Sequence, residues 1–217
     1  MYIPKHNRMK NDDEIFDFIE ANNFGILISL NKKKLTGTHI PFVLKREMGI
    51  KGTLYGHIAR ANQQWKNISE EVLVIFPGAH KYISSSWYET DQSVPTWNYI
   101  SVHVYGSISI TEDRDNKTRH VSELVNHFEN IKSGYSLDNL NKEYFEGLLN
   151  GIVSFEIVIT ELEGKEKLSQ NHQEERQLRV IKKLEENPDT DSLIISSGMK
   201  KNLALKKKDK SGPENIP

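Results

Sequence analysis

Trp97-Asn98-Tyr99-Ile100-Ser101-Val102-His103-Val104-Tyr105-Gly106-Ser107-Ile108-Ser109-Ile110 alternates apolar and polar residues along its length. From Ile100 the even positions are Ile, Val, Val, Gly, Ile and Ile, while the odd positions are Ser, His, Tyr, Ser and Ser. Period two predicts a long strand with one buried and one polar face. Upstream lie Tyr82-Ile83-Ser84-Ser85-Ser86-Trp87-Tyr88 and Pro95-Thr96-Trp97-Asn98-Tyr99, dense in aromatic, Ser and Asn residues, and all three Trp fall between Trp65 and Trp97. Such a strand suits a barrel that offers a flat conjugated ligand an apolar wall and hydrogen-bonding groups at its rim; it suits a well-packed hairpin rim equally well.

Working outward, Asn11 with Glu14 reads as a capping box, and Ile15, Phe18 and Ile19 continue a helix over residues 12–22. Phe24 to Leu30 is a short strand, turned by Asn31 to Lys34 into a second, Leu35 to Leu44. Pro41 has no N–H for a ladder, so that strand belongs at an edge or bends there, leaving backbone at Thr38-His39-Ile40 for other partners. Gly52 to His57 is a third strand, leading to a short helix from Ala59 to Ile68; Val72 to Phe76 is a fourth, which Pro77-Gly78 turns back into His80 to Ser84. Residues 85–96 form a polar loop before the long strand. Beyond it, Val121, Leu124, Val125 and Phe128 keep helical spacing, as do Tyr144, Phe145, Leu148 and Leu149, with Ser133-Gly134 between them. Gly151 precedes a last strand, Ile152 to Leu162, and Leu178, Ile181 and Leu184 mark a charged amphipathic helix opened by Asn171 and Glu174 and closed by Asn187-Pro188-Asp189. From Lys200 the chain turns Lys-rich and reads as a mobile tail. The expected class is mainly β with helices (α+β), an antiparallel barrel rather than a doubly wound sheet.

The 217 residues fit one domain. With 29 Lys+Arg against 30 Asp+Glu, no global field attracts nucleic acid or an anionic membrane. The absence of Cys excludes disulfides, a thiolate nucleophile and Cys-ligated metal. No signal-like or membrane-length apolar run is present, so a cytoplasmic location is expected. The eight His are scattered with no metal-ligand spacing; His120 and His127, a heptad apart, read as surface residues. No Gly-x-Ser-x-Gly, P-loop or helix-turn-helix pattern occurs, and no catalytic residue is assigned.

One segment carries a possible chemistry. In Tyr55-Gly56-His57-Ile58-Ala59-Arg60-Ala61-Asn62, Arg60 offers a planar fork for phosphate, and His57 and Asn62 add hydrogen-bonding groups; the bland alternative is a solvated Arg beside a strand end. Thr38-His39 and Trp97-Asn98-Tyr99 join the same site if their strands neighbour Gly52 to His57, where they would suit the edge and face of a flavin ring.

Met1-Tyr2-Ile3-Pro4-Lys5-His6, Gly37-Thr38-His39-Ile40-Pro41, Leu54 to Asn62, Ser86-Trp87-Tyr88, Val94 to Tyr99 and Lys167-Leu168-Ser169-Gln170-Asn171 together resemble the PaiB family of FMN-binding negative transcriptional regulators, over about residues 1–190. The resemblance implies an antiparallel split β-barrel of the FMN-binding, pyridoxamine-phosphate-oxidase-like type. It also implies a homodimer with sites at the subunit interface, FMN as ligand, and a repressor role linked to sporulation and protease synthesis, with promoter DNA as partner. It implies FMN contacts from Thr38, His39, Ile40 and Pro41 along the ring, and from His57, Arg60, Ala61 and Asn62 at the phosphate. Trp97, Asn98, Lys167, Ser169 and Gln170 complete the implied set. Residues 1–190 would be the flavin-binding domain, and 191–217 a C-terminal segment with the Lys-rich tail. A flavin-dependent oxidoreductase acting on a small molecule is the alternative. Two positions depart from the family: His172 stands where Arg usually follows Lys-Leu-Ser-Gln-Asn, which weakens a cation near neutral pH, and Ser85 replaces the Pro of Ser-Pro-Ser-Trp-Tyr.

Overall fold

The structure, a computed structural model, describes residues 1–31, 33–68, 70–90, 92–129, 133–186 and 188–210. Seven strands form one sheet: β1 (Phe24–Asn31), β2 (Lys34–Pro41), β3 (Val43–Lys45), β4 (Thr53–Ala59), β5 (Glu71–Ile83), β6 (Thr96–Thr111) and β7 (Ile152–Lys167), in the order β2-β1-β5-β6-β7-β4-β3. The helices are α1 (Asp12–Ala21), α2 (Arg114–Phe128), α3 (Lys142–Asn150), α4 (Glu174–Glu186) and α5 (Thr190–Lys210). β1 pairs antiparallel with β2 and β5, and β4 with β3 and β7. The chain divides into two compact units: the first comprises Met1–Met9, Pro77–Ser101 and Gly164–Pro217, the second Lys10–Phe76 and Val102–Glu163. Among the described residues no helix is long and apolar enough to cross a membrane.

The second unit is organised by three buried phenylalanines. Phe42 meets Phe76 edge-on at 5.5 Å between centroids and Phe155 at 6.3 Å. Two glycines make room for the outer rings: a Cβ on Gly25 would lie 2.9 Å from Phe76, and one on Gly56 would lie 2.8 Å from Phe155, its register partner on β7. α1 follows its sequence signal, since Asn11 Oδ1 accepts the Glu14 N–H at 2.9 Å and Ile15, Phe16 and Ile19 are buried. The alternation in β6 also holds, with Ile100, Val102, Val104 and Ile108 buried. β2 ends the sheet, as Pro41 requires, and the chain breaks at Phe42 before β3.

Other elements differ from the sequence reading. β5 runs unbroken through Pro77-Gly78 instead of reversing there. Its pairing with β1 extends only to Ile75, so the missing Pro77 N–H falls beyond that ladder. Where a helix was expected over 59–68 there is only a 3-10 turn, Gln63–Asn67. α2 buries Leu124, as its spacing predicts, but with Lys117 and His120 in place of Val121, Val125 and Phe128, so the buried face is rotated from the expected one. His120 is therefore no surface residue: it is 1% exposed, its ring stacked on Tyr55 at 4.3 Å and its Nδ1 2.7 Å from Ser154 Oγ.

In the first unit, α4 and α5 form an antiparallel pair burying Val180, Ile181 and Leu184 together with Ile195, Met199 and Leu203. The Lys-rich stretch is helical as far as Lys210 and not a mobile tail. Its apolar stripe Ile195, Met199 and Leu203, spaced four residues apart, anchors it, and Lys200 bonds Glu185 at 2.5 Å, Lys207 bonds Glu174 at 2.6 Å and Lys206 donates to the Gln170 carbonyl at 2.5 Å. Ser211-Gly212-Pro213 and Asn187 lie outside the described residues.

Two outcomes follow from the packing of the second unit. Gly56→Ala forces its methyl into the Phe155 ring, which Phe42 blocks from retreating, and is expected to destabilise the protein by about 1–3 kcal/mol in chemical denaturation. Burial, and then Arg119, lowers the His120 pKa from an ordinary 6.5 to about 4. Between these values the unfolded chain binds a proton that the folded chain does not, so stability falls as pH drops through that window. His120→Gln is expected to remove about 3 kcal/mol of that pH dependence, read as the difference between variant and wild-type denaturation midpoints from pH 7 to 4.

Candidate functional site

The residues singled out from the sequence fall into two sets, one in each unit. In the second unit, β4 ends at Ala59 and the chain turns through Arg60 and Ala61 to Asn62, whose side chain caps the 3-10 turn by accepting the Gln64 N–H at 2.9 Å. Asn62 Nδ2 also donates to Thr38 Oγ1 at 3.0 Å, so the β2 segment and the turn after β4 are in direct contact. Behind them sits Gln64, 2% exposed, which the sequence reading passed over. Its Nε2 donates to the Leu27 carbonyl at 3.2 Å, to Ser29 Oγ at 2.9 Å and to the Thr36 carbonyl at 3.2 Å. Its Oε1 lies 2.5 Å from Thr38 Oγ1. With the amide nitrogen committed to strand acceptors, Gln64 must accept from Thr38, and Thr38 must accept from Asn62. One Asn62 N–H is then left to give.

His57 Nδ1 is buried with no hydrogen-bond partner, and burial pushes the ring pKa down, which keeps it neutral near pH 7. It is one of several buried polar atoms left without a partner among the described residues, His120 Nε2 being another, and a bound molecule would satisfy it. Ile40 is buried, His39 is exposed with its ring 6.3 Å from that of Phe24, and Pro41 closes β2. Arg60 is tightly held. Nε donates to the Asn150 carbonyl at 2.7 Å, Nη2 to the Ile152 carbonyl at 3.1 Å, and Nη1 and Nη2 grip Glu112 at 3.3 and 2.7 Å. The guanidinium also lies 5.7 Å from the centre of the Trp65 ring. One Nη1 proton is left over.

In the first unit, Lys167 donates to Thr96 Oγ1 and, at 2.7 Å, to the Trp97 carbonyl. Asn98 is fully buried and exchanges hydrogen bonds with Ser169 Oγ at 3.1 Å. Ser169 sits in the left-handed region at φ 61°, a strained conformation at the turn leaving β7. Gln170 braces that turn: Oε1 accepts the Leu168 N–H at 2.7 Å and Nε2 donates to the Glu166 carbonyl at 2.5 Å. Trp97, 52% exposed, packs with Tyr82 at 5.9 Å and His80 at 6.0 Å instead of turning inward.

Of these residues Thr96, Asn98, Lys167 and Ser169 line a cavity of about 400 Å³, with Tyr88 and Arg176 among the others. Arg176 comes from α4, lies 5.0 Å from the centre of the Tyr88 ring and pairs with Glu89. The sequence reading placed it only within a charged amphipathic helix and gave it no role. No spacing in the sequence singles it out, since α4 begins at Glu174 and His172 lies before it. His172 lines the same cavity, and burial, then Arg176, lowers its pKa, so it is neutral near pH 7.

The chain is 36% identical over 210 residues to Protease synthase and sporulation protein PAI 2 of Bacillus subtilis (strain 168), covering 94% of this chain and 100% of that protein. Its fold is similar to the flavocytochrome Anf3 from Azotobacter vinelandii, with a TM-score of 0.59 and 12% identity over 82% of this chain and 78% of the other. It is similar also to the FAD and heme binding protein from Mycobacterium smegmatis, with a TM-score of 0.56 and 9% identity over 79% and 78% of the two chains. A family model described as "Putative FMN-binding domain" matches residues 1–161, and the chain belongs to that FMN-binding family, on an antiparallel split-barrel fold whose sheet stays open.

Proposed function

We propose that the protein is an FMN-binding, PaiB-like negative transcriptional regulator that works in the cytoplasm as a homodimer on promoter DNA. The observation that carries the flavin reading is the Thr38–Asn62 contact, which joins the two segments assigned to the ligand, in a chain of the FMN-binding family whose His57 Nδ1 is also unpartnered. The repressor reading is supported by likeness to PAI 2 along nearly the whole chain.

FMN, when bound, supplies a redox-active ring and a phosphate dianion. The phosphate is assigned to His57, Arg60, Ala61 and Asn62, and the ring to the edge strand at Thr38, His39, Ile40 and Pro41. Trp97, Asn98, Lys167, Ser169 and Gln170 form the second proposed contact set. Asn62 gives its remaining N–H and Arg60 its spare Nη1 proton, while Glu112 balances the rest of the guanidinium charge. Promoter DNA is assigned to a surface made by two copies together, because Lys206 and Lys207 are already engaged by Gln170 and Glu174.

Protein purified without added flavin is expected to show flavin absorbance and to release FMN on denaturation; colourless protein that takes up no FMN at micromolar concentration would falsify the cofactor assignment. Arg60→Ala is expected to weaken FMN by about 1.5–3 kcal/mol, while riboflavin, lacking the phosphate, is bound as before. Equal losses for both ligands would move the phosphate elsewhere. A gel shift with the chain's own promoter at low salt, with and without FMN, tests direct repression, and its absence in both lanes removes that part of the reading.

A further inference from the structure

The cavity of the first unit has more binding capacity than the flavin assignment uses. Among the described residues that line it there is no carboxylate, yet it holds the cations Lys167 and Arg176. Two of the three Lys167 protons go to Thr96 and Trp97, leaving one. Glu89 takes the Nε proton and one Nη2 proton of Arg176, and Nη1 lies 3.4 Å from His172 Nδ1, so each Nη nitrogen keeps a proton to spare. A third donor is Tyr88: its hydroxyl is buried and sits beside Ser169 without the geometry of a hydrogen bond. Asn98 and Ser169 satisfy each other, so they shape the floor without competing for these donors. Burial, and then Lys165, lowers the Lys167 pKa, the signature of a desolvated cation that an arriving anion would stabilise.

We propose that this cavity binds a small oxyanion, a carboxylate or a phosphate ester, whose oxygens take the spare protons of Lys167, Arg176 and Tyr88, and that this molecule is a ligand separate from FMN. The inference deepens the flavin reading, because Lys167, Asn98 and Ser169 would then face both molecules. The volume of about 400 Å³ lies within the range of about 300–1,000 Å³ typical of small-molecule sites. A regulator with a cofactor and a second, anionic ligand can report on a metabolite while keeping its flavin.

Calorimetric titration of FMN-loaded and FMN-free protein with inorganic phosphate and, separately, with acetate at constant ionic strength tests this. Saturable binding of at least one anion is expected in both forms, weakened about tenfold by Arg176→Gln through loss of a charge-assisted hydrogen bond, and less by the near-isosteric Tyr88→Phe. Arg176→Gln is expected to leave FMN affinity unchanged. The inference is overturned if neither anion saturates, if both folded variants bind as wild type does, or if loading FMN abolishes anion binding, which would make the cavity part of the flavin's own site. If the protein binds no FMN but still binds anion in an Arg176-dependent way, the flavin reading fails and this site stands.

Discussion

The interdigitation of Phe76, Phe42 and Phe155 with Gly25 and Gly56 is the constraint on which the second unit rests. Three large rings can meet edge-on inside a sheet layer only if backbone elsewhere gives up its side chains, and here the two outer rings lie over glycines. The middle ring, Phe42, follows Pro41, and Gly56 precedes His57. Core packing thus sets the ends of the two segments to which the flavin is assigned. Those ends are set first by hydrophobic contacts a few residues away.

Polar order is then laid over that frame. Gln64 ties three backbone or hydroxyl acceptors on β1 and β2, and that choice propagates through Thr38 to Asn62 as a fixed direction of donation. A buried amide fully satisfied on one side dictates what its neighbours can offer on the other. The result is a turn that presents donors, in keeping with an acceptor-rich ligand such as a phosphate. Arg60 contributes differently: carbonyls at the end of α3 and the start of β7, together with Glu112, hold most of its fork, so much of its role is to lock the turn.

Much of this was legible in the chain because it is local. Asn11 and Glu14 announced α1, period two announced β6, and Pro41 announced an edge strand, each through a constraint acting over a few residues. Pro77-Gly78 misled for the same reason, since its turn propensity is local while the ladder that tolerates it is set by a partner strand. His120 was misread because burial on α2 depends on which face the sheet selects; Lys117 and His120, polar in any composition scale, lie on it. Lys-rich composition hid α5, though Ile195, Met199 and Leu203 carried its stripe in plain view. Of the site, the segments could be named from their motifs, but Gln64 and Arg176 could not, since nothing in spacing tells which neutral amide or which surface cation the fold will turn toward a cavity.

The tether from Lys206 to the Gln170 carbonyl links the final turns of the longest helix to the strained corner at Ser169. Among the described residues none of α5 lines the cavity, yet the helix clamps the loop that forms a wall of it, with Met199 also resting against Asn98. The carboxy-terminal length of the chain is therefore a determinant of cavity shape: shortening or neutralising that end would relax the corner from a distance, without touching a single group that meets the ligand.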